Sequence, residues 1–397
     1  MNILVINCGS SSLKYQLINS DSEKVLVKGQ CERVGTEGSS ITHEPIGKDK
    51  IVTSIDMPNH TVAIKMVIKK LLDKDVGVIS SLDEIHAVGH RIVHGGEKFS
   101  NSVLLSDHVL MDIEDCNDLA PLHNPANMVG INSCKEIMPN IPMVGVFDTA
   151  FHQTMPTKAY LYGLPYEYYE KHKVRRYGFH GTSHDYVSKR GAKILEKHRE
   201  DLKIIVCHLG NGASISAVMN GKSVDTSMGI TPLEGLIMGT RSGDIDPTII
   251  SFIAEKERVS QSVVLEILNK KSGVLGLSKL SSDFKDLSQA RERGNELARK
   301  ALEAYTYRVA KYIGAYTAAM NGLDVLIFTA SVGENNSKIR EDICQYVGFL
   351  GASIDLEKNN VNGEEAIISK DDSKVTIMVV PTNEELAIAR ETAKLIK

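Results

Sequence analysis

The sequence has no Cys-x-x-Cys pair, no run of about 18 apolar residues, no stripe of lysine and arginine, and no Gly-x-x-x-x-Gly-Lys-Ser/Thr loop. Its six cysteines, Cys8, Cys31, Cys116, Cys134, Cys207 and Cys344, are widely scattered, which argues against a zinc site or a disulfide framework and fits a reducing cytosol. Lysine and arginine number 46 against 50 acidic residues, for a formal net charge of -4, and the two signs are interleaved. That balance disfavours a nucleic-acid binder, so any phosphate-bearing partner is expected to be small. With neither a spanning segment nor a basic leader, no membrane partner and no signal peptide are expected, and the cytoplasm is the expected location. At 397 residues the chain is too long for one ordinary core, and two or three domains are expected.

What is present begins at the N-terminus. Residues 3–6 are a short apolar, β-branched run without charge, as for a strand buried on both faces, and it stops abruptly in Asn7, Cys8, Gly9, Ser10 and Ser11. An extended pattern resumes at Ser12. The spacing predicts a tight hairpin whose N–H groups and hydroxyls converge on a small volume, with Lys14 able to reach back as a point charge on a phosphate. An ordinary Gly/Ser hairpin with a solvated lysine is the alternative. Residues 203–226 repeat the design: a buried run at 204–207, a Gly-rich turn (His208, Leu209, Gly210, Asn211, Gly212), a second strand, and Asn220-Gly221 leading into a third. Two such units half a chain apart suggest a duplicated α/β chain, with a nucleotide's phosphates held from both sides of a cleft.

Between and after the repeats, polar clusters follow buried runs. A strand over 85–93 is expected to run into Gly95-Gly96. The glycines and β-branched neighbours of His86, His90 and His94 favour this over a histidine metal site on a helix. Arg91 would reach the end of that strand, where a guanidinium can fork onto a carboxylate or phosphate, or form a structural salt bridge. Asn124 with Pro125 reads as a cap opening a helix to about 137, with His123 just ahead. The strand 143–147 ends in Asp148, a position that suits a catalytic acid or, more blandly, a capping one. Thr182 or Ser183 would cap the next helix, leaving Phe179 and His180 on the preceding loop. Residues 226–247 form a glycine-rich loop with Pro232 and a second well-placed arginine, Arg241. Residues 287–320 read as one long helix ended by Gly322. The strand 325–329 runs into a glycine loop, Ser331 to Asn335, suited to a nucleoside. A strand over 376–380 is followed by an amphipathic helix from Glu384.

Six motifs in this order carry a resemblance: Asn-x-Gly-Ser-Ser-Ser-x-Lys at 7–14, Gly-His-Arg-x-Val-His-Gly-Gly at 89–96, Phe-Asp-Thr-Ala-Phe-His at 147–152, Tyr-Gly-Phe-His-Gly-Thr-Ser-His at 177–184, His-Leu-Gly-Asn-Gly at 208–212, and Gly-Thr-Arg-x-Gly-Asp-x-Asp-Pro at 239–247. The chain resembles the acetate kinases, within the superfamily of acetate and sugar kinases, heat-shock ATPases and actin. The resemblance implies an α/β fold of two duplicated RNase H-like (actin-like ATPase) domains around a nucleotide cleft. Residues 1–149 and a returning helix 385–397 would form domain I, and 150–384 domain II. It implies reversible transfer of the ATP γ-phosphoryl group to acetate, giving acetyl phosphate and ADP, in a homodimer. Asn7 and Glu384 would hold Mg²⁺, or Mn²⁺. Ser10, Ser12, Lys14 and the loop His208, Leu209, Gly210, Asn211, Gly212 would contact phosphates. Asp283, Phe284, Lys285, Ser331, Val332, Gly333, Glu334 and Asn335 would bind adenosine. Arg91, Asp148, His180 and Arg241 would be catalytic, with His123 near the transferred group and Val93, Leu122, Phe179 and Pro232 around the acetate methyl.

Acetate is already ionised at neutral pH, with a carboxyl pKa near that of Glu at about 4.3, so Asp148 is expected to orient an arginine or a metal-bound water rather than act as a base. Ser331 stands where glycine is usual in the family, and Lys285 where arginine is more frequent. A propionate or butyrate kinase differs only in pocket size, and Val93 fills space that a longer chain would need. An actin-like, ATP-driven interaction protein is a further alternative, but it predicts a separate client-binding domain or polymer-forming insertions, and neither is expected from these residues.

Overall fold

The computed structural model describes residues 1–121 and 123–397, in two compact units: Met1–Phe151 with Asn383–Lys397, and His152–Thr382. In the first unit the uncharged N-terminal run forms β1 (Asn2–Cys8), buried from Ile3 to Ile6. It turns back into β2 (Ser12–Asn19), and β3 (Lys24–Glu32), β4 (Ser40–Pro45) and β5 (Ile51–Ser54) extend the meander. β6 (Ala87–Ile92) and β8 (Met143–Phe147) then add in parallel on the other side of β1, and the two-residue β7 (Val103–Leu104) closes the edge, giving the order β5-β4-β3-β2-β1-β6-β8-β7.

The second unit repeats this order. β9 (Ile204–Leu209), β10 (Ala213–Met219) and β11 (Lys222–Thr226) are an antiparallel meander. β12 (Val325–Thr329) and β14 (Thr376–Val379) lie parallel to β9, and β13 (Ala366–Ile367) is an antiparallel edge on β14. The arrangement β11-β10-β9-β12-β14-β13 matches β3-β2-β1-β6-β8-β7 strand for strand in order and sense. The duplication expected from two similar hairpins therefore extends to the whole sheet. Parallel strands end on one edge, so β1, β6 and β8 deliver Asn7, Val93 and Asp148 to the same rim of their sheet. β9, β12 and β14 deliver His208, Ala330 and Val380 to the equivalent rim of theirs.

Helices cover these sheets. Asn59 caps His60–Leu71 by accepting from the Val62 N–H, and that helix buries Ala63, Ile64, Val67 and Leu71 in the core with Leu4, Ile6, Leu17 and Val88. The last helix, Glu384–Ile396, packs on β1, β6 and β8. A Cβ at Gly89 would stand 2.5 Å from Thr392 Oγ1, so only glycine lets the helix lie this close.

Two local readings need correction. The stretch 287–320 is two helices, Phe284–Glu292 and Glu296–Met320, because Gly294 adopts φ +85° and Asn295 caps the second by accepting from Ala298 N–H. Ala301, Tyr305, Val309, Ile313 and Tyr316 form the buried stripe, while Leu297 in the first turn is exposed. Residues 330–335, read as a loop, are a helical turn, Ala330–Asn335. Among the described residues no helix is long and apolar enough to cross a membrane.

Two buried histidines set an acid limit on the fold. His90 lies inside β6 with its Nε2 unpartnered, and burial holds its pKa down at about 3. His184 is likewise pushed well below the usual value, by burial first and then by its neighbours His152 and His208. Each is neutral when folded, whereas the unfolded chain protonates it near pH 6.5, so its contribution to stability is lost as pH falls below about 6.5. Between pH 7 and pH 5 the wild type is expected to lose about 2 kcal/mol more stability than His90→Leu, as read by urea unfolding. Equal losses in the two proteins would mean that His90 charges inside the fold.

Candidate active site

The rim of the first unit is built on the β1–β2 hairpin. Gly9 N–H donates to Ser12 O at 2.8 Å to close the turn, and His60 Nε2 holds Gly9 O at 2.7 Å from the neighbouring helix. Asn7 and Lys14 are directly opposed in the antiparallel register, so their side chains leave the same face. Ser10 and Lys14 are exposed and Ser12 is half-buried.

Beside this turn, Arg91 from β6 forks onto Asp148 at the end of β8, with Nε to Oδ1 at 2.9 Å and Nη2 to Oδ2 at 2.7 Å. The Asp148 side chain is 1% exposed and that of Arg91 24%. Burial works against the Arg91 charge, but Asp148, then Glu384 and Glu385, outweigh it and hold the guanidinium above its ordinary pKa. Glu384, at the first turn of its helix, experiences the reverse. Although it keeps some solvent access, the protein packed round it pushes its carboxyl up to about 7; Arg91 and Lys14 oppose this, and Asp148 and Glu385 add to it. Asp148, Glu384 and Glu385 thus all act on Arg91.

The loop after β6 is pinned by a helix whose role the sequence did not disclose. Asn124, read as a helix cap, lies inside the helix Asn124–Ile137, and His123 occupies the cap position. The Asn124 amide is used instead on the His94 backbone, accepting from N–H at 3.0 Å and donating to O at 2.9 Å. Asn127 accepts from Val93 N–H at 3.1 Å and donates to Cys8 O at 2.7 Å, tying the ends of β1 and β6 together. Val93 is buried there, and Leu122 lies outside the described residues. His86 and His94 accept separate backbone N–H groups, from Asn2 and Gly96.

In the second unit, His180 sits at φ +57° at the start of the helix Gly181–Ile194, where neither Thr182 nor Ser183 serves as the cap. Ser183 instead bonds His208 Nδ1 and Thr382 Oγ1, both at 2.8 Å. The His180 ring stacks on His208 with centroids 4.2 Å apart, and its Nδ1 meets Ser214 Oγ at 2.9 Å. Ser214 also bonds His184, and His152 bonds Ser223 and Phe179 O, so four histidines are fixed by serines, of which only Ser183 carries a sequence signal, as a cap.

Arg241 lies against the same place. A Cβ at Gly212 would stand 3.5 Å from Arg241 Nη1 and 3.6 Å from the His180 ring. Arg241 meets Pro232 O at 3.4 Å and Met238 Sδ at 3.7 Å, no carboxylate pairs with it among the described residues, and burial lowers its pKa. Its charge is therefore desolvated without an internal counter-ion. The loop that carries it is closed at its neck, where Asp244 accepts from Gly235 N–H at 2.7 Å and from Tyr312 O–H at 2.7 Å.

A cleft of about 820 Å³ opens nearby, lined by Asn211, Asp283, Phe284, Lys285, Ser331, Val332 and Asn335, together with Ser288, Asn336 and Lys338. Asp283 caps the helix Phe284–Glu292 through Oδ1, at 2.7 Å from Lys285 N and 3.2 Å from Asp286 N. Gly333 and Glu334 stand behind the cleft. The buried Arg340 holds their carbonyls at 2.9 and 3.0 Å, and the Glu334 carboxylate accepts from Ala330 N–H at 2.7 Å and Thr382 N–H at 3.0 Å. Ser331 Oγ is 3.4 Å from where a Cβ of Gly210 would be, so the cleft runs directly into the 208–212 turn, in which Leu209 and Gly210 are buried.

The chain is similar to known proteins over its whole length. The profile of the acetokinase family matches residues 2–390. The acetate kinases of Agathobacter rectalis and Lachnoclostridium phytofermentans are 64% and 63% identical to this chain, with both proteins of each pair fully covered. The crystal structure of Porphyromonas gingivalis acetate kinase superposes with a TM-score of 0.96 at 50% identity over the full length of both chains. A propionate kinase from Francisella tularensis superposes with a TM-score of 0.93 at 45% identity over 99% of each. The chain belongs to the acetokinase family.

Proposed function

We infer that the chain is a kinase that transfers the γ-phosphoryl group of ATP to the carboxylate of acetate, directly and reversibly, giving acetyl phosphate and ADP. The observation that carries this reading is Arg241, a desolvated guanidinium without a carboxylate partner, lying with His180 and Gly212 at the mouth of a nucleoside-sized cleft. Phosphoryl transfer has a loose transition state with charge spread over equatorial oxygens, so its catalysis is positioning and charge stabilisation. Arg241, His180 and the 208–212 turn supply this in the second unit, and the cleft takes the nucleoside. Ser10, Ser12 and Lys14 provide hydroxyls and a cation in the first. The Asp148 fork fixes the Arg91 plane so that its remaining N–H edge is oriented for an anion. Acetate arrives ionised and needs no base. In the second unit, Phe179 and Pro232 limit the space for the methyl.

The Asn7 amide and the Glu384 carboxylate are hard oxygen donors, as Mg²⁺ or Mn²⁺ requires. Such an ion, when bound, neutralises phosphate oxygens. The protein works in the cytoplasm as a homodimer.

The test is acyl phosphate formation trapped by hydroxylamine, with acetate, propionate or butyrate, with Mg²⁺ or a chelator, and with Glu384→Gln. Turnover should follow acetate > propionate > butyrate and vanish with the chelator. Glu384→Gln should raise the half-saturating Mg²⁺ concentration by ~10-fold or more. Consumption of ATP without acyl phosphate would sink the reading.

A further inference from the structure

Upstream of Arg241, residues Ile230 to Glu234 form a short loop with Pro232 at its apex, and one phenol oxygen closes its neck. Tyr162 Oη accepts from Ile230 N–H at 3.1 Å and donates to the Glu234 carboxylate at Oε2. The other carboxylate oxygen, Oε1, takes Arg176 Nη2 at 2.7 Å, and Arg176 Nη1 donates to Thr226 O at 2.7 Å and Ser227 O at 3.2 Å at the end of β11. The guanidinium also lies 5.9 Å from the centre of the Tyr162 ring. Gly229 is fitted to this cluster: a Cβ there would stand 1.8 Å from Glu234 Oε2 and 2.3 Å from Tyr162 Oη. Its carbonyl accepts from Tyr177 and Gly178 N–H at 3.1 and 3.2 Å, immediately before Phe179 and His180. The neck that holds the apex is thus joined to the segment carrying Phe179.

We propose that Tyr162, Glu234 and Arg176 are positioning residues that fix Pro232 against the Phe179 segment and thereby set the length of acyl chain the enzyme accepts. The proposal rests on the carboxylate-kinase reading above. None of the three needs to touch substrate. A charge-assisted hydrogen bond and a bridging phenol hold five residues more rigidly than backbone bonds alone. Pocket walls discriminate one methylene by only ~10- to 200-fold, so a small loosening of one wall is visible in the ratio of two substrates. Pro232 O also meets Arg241 Nη1, so the apex and the anion-binding cation are joined.

The experiment compares wild type, Tyr162→Phe and Glu234→Gln in the full-length protein, with KM and kcat for acetate, propionate and ATP, and with Tm. Tyr162→Phe removes one oxygen and keeps the ring, so it decides the matter even if Glu234→Gln fails to fold. The expected result is a rise in acetate KM of about threefold or more and a rise in the propionate-to-acetate ratio of kcat/KM of about 3- to 10-fold, with ATP KM within about twofold of wild type. A wholly structural role predicts a lowered Tm and fewer active molecules with both KM values and the ratio unchanged, and that outcome overturns the proposal. An unchanged ratio at unchanged Tm overturns it as well. Absence of acyl phosphate with the wild type overturns the carboxylate-kinase reading, which the variants alone cannot do.

Discussion

Replacing Arg241 by alanine is expected to lower acyl phosphate formation by about 10³- to 10⁵-fold while leaving the midpoint of thermal unfolding unchanged or slightly raised. Loss of activity follows from the role of a guanidinium on a transferring phosphoryl group, where its charge is stronger in the dry, pre-arranged site than in water. The absence of a stability cost follows from the partners of Arg241. A carbonyl and a thioether are its neighbours and burial lowers its pKa, so the fold carries this charge at a loss. Removing a desolvated, uncompensated charge costs no ion pair. Arg241→Lys should recover little, because an ammonium on a flexible stem cannot present the planar fork. Turnover and differential scanning on the same samples check both halves. Retained turnover in Arg241→Ala would remove the main support for the proposed mechanism.

Arg91→Ala should behave differently. It too is expected to lose turnover, but it leaves the Asp148 carboxylate 1% exposed and without its forked partner. Breaking a buried pair on one side costs about 3–5 kcal/mol, because the remaining charge stays desolvated. Glu384 and Glu385 stand nearby, so the same change removes the cation that restrains three carboxylates. The unfolding free energy should therefore fall by that amount at neutral pH. Most of it should return in Arg91→Met with Asp148→Leu, which removes both charges. A single variant as stable as wild type would mean that water reaches Asp148 freely.

The fold was legible in the sequence where a local signal was also the global one. The uncharged runs at 3–6 and 204–207, each followed by a Gly-rich turn and an alternating strand, gave both hairpins and hence the duplication. The side-chain partners of the site were less legible. Asn124 has every mark of a helix cap, and Ser183 stands where a cap belongs, but tertiary partners claim both side chains: the His94 backbone and His208. A cap is a local competition, and a better-placed distant acceptor wins it. Gly294 inside an apparently continuous helical pattern was passed over because periodicity resumes beyond it in nearly the same phase. The serines that hold the histidines, the Asn127 tie and the Arg340 clamp have no sequence spacing that could reveal them, because each depends on how separate elements pack. Arg91, Asp148, His180 and Arg241 stand in the motifs, whereas Asp283, Phe284 and Lys285 follow only from the resemblance, Ser331, Val332 and Asn335 from the glycine loop after a buried strand, and Ser288, Asn336 and Lys338 carry no sequence signal.

The helix Glu384–Ile396 has a consequence for the order in which the protein is made. It seats on β1, β6 and β8 through the gap left at Gly89, and Arg390 forks onto Glu23 at 2.7 and 2.8 Å. The ribosome therefore finishes one side of this sheet last, after the whole of His152–Thr382 has emerged. Until then the first unit has an uncovered apolar face and lacks Glu384, so the nascent chain can fold its second unit while its first is still waiting for its closing element. Premature termination at any point before Asn383 leaves a product without that carboxylate and with an exposed sheet face.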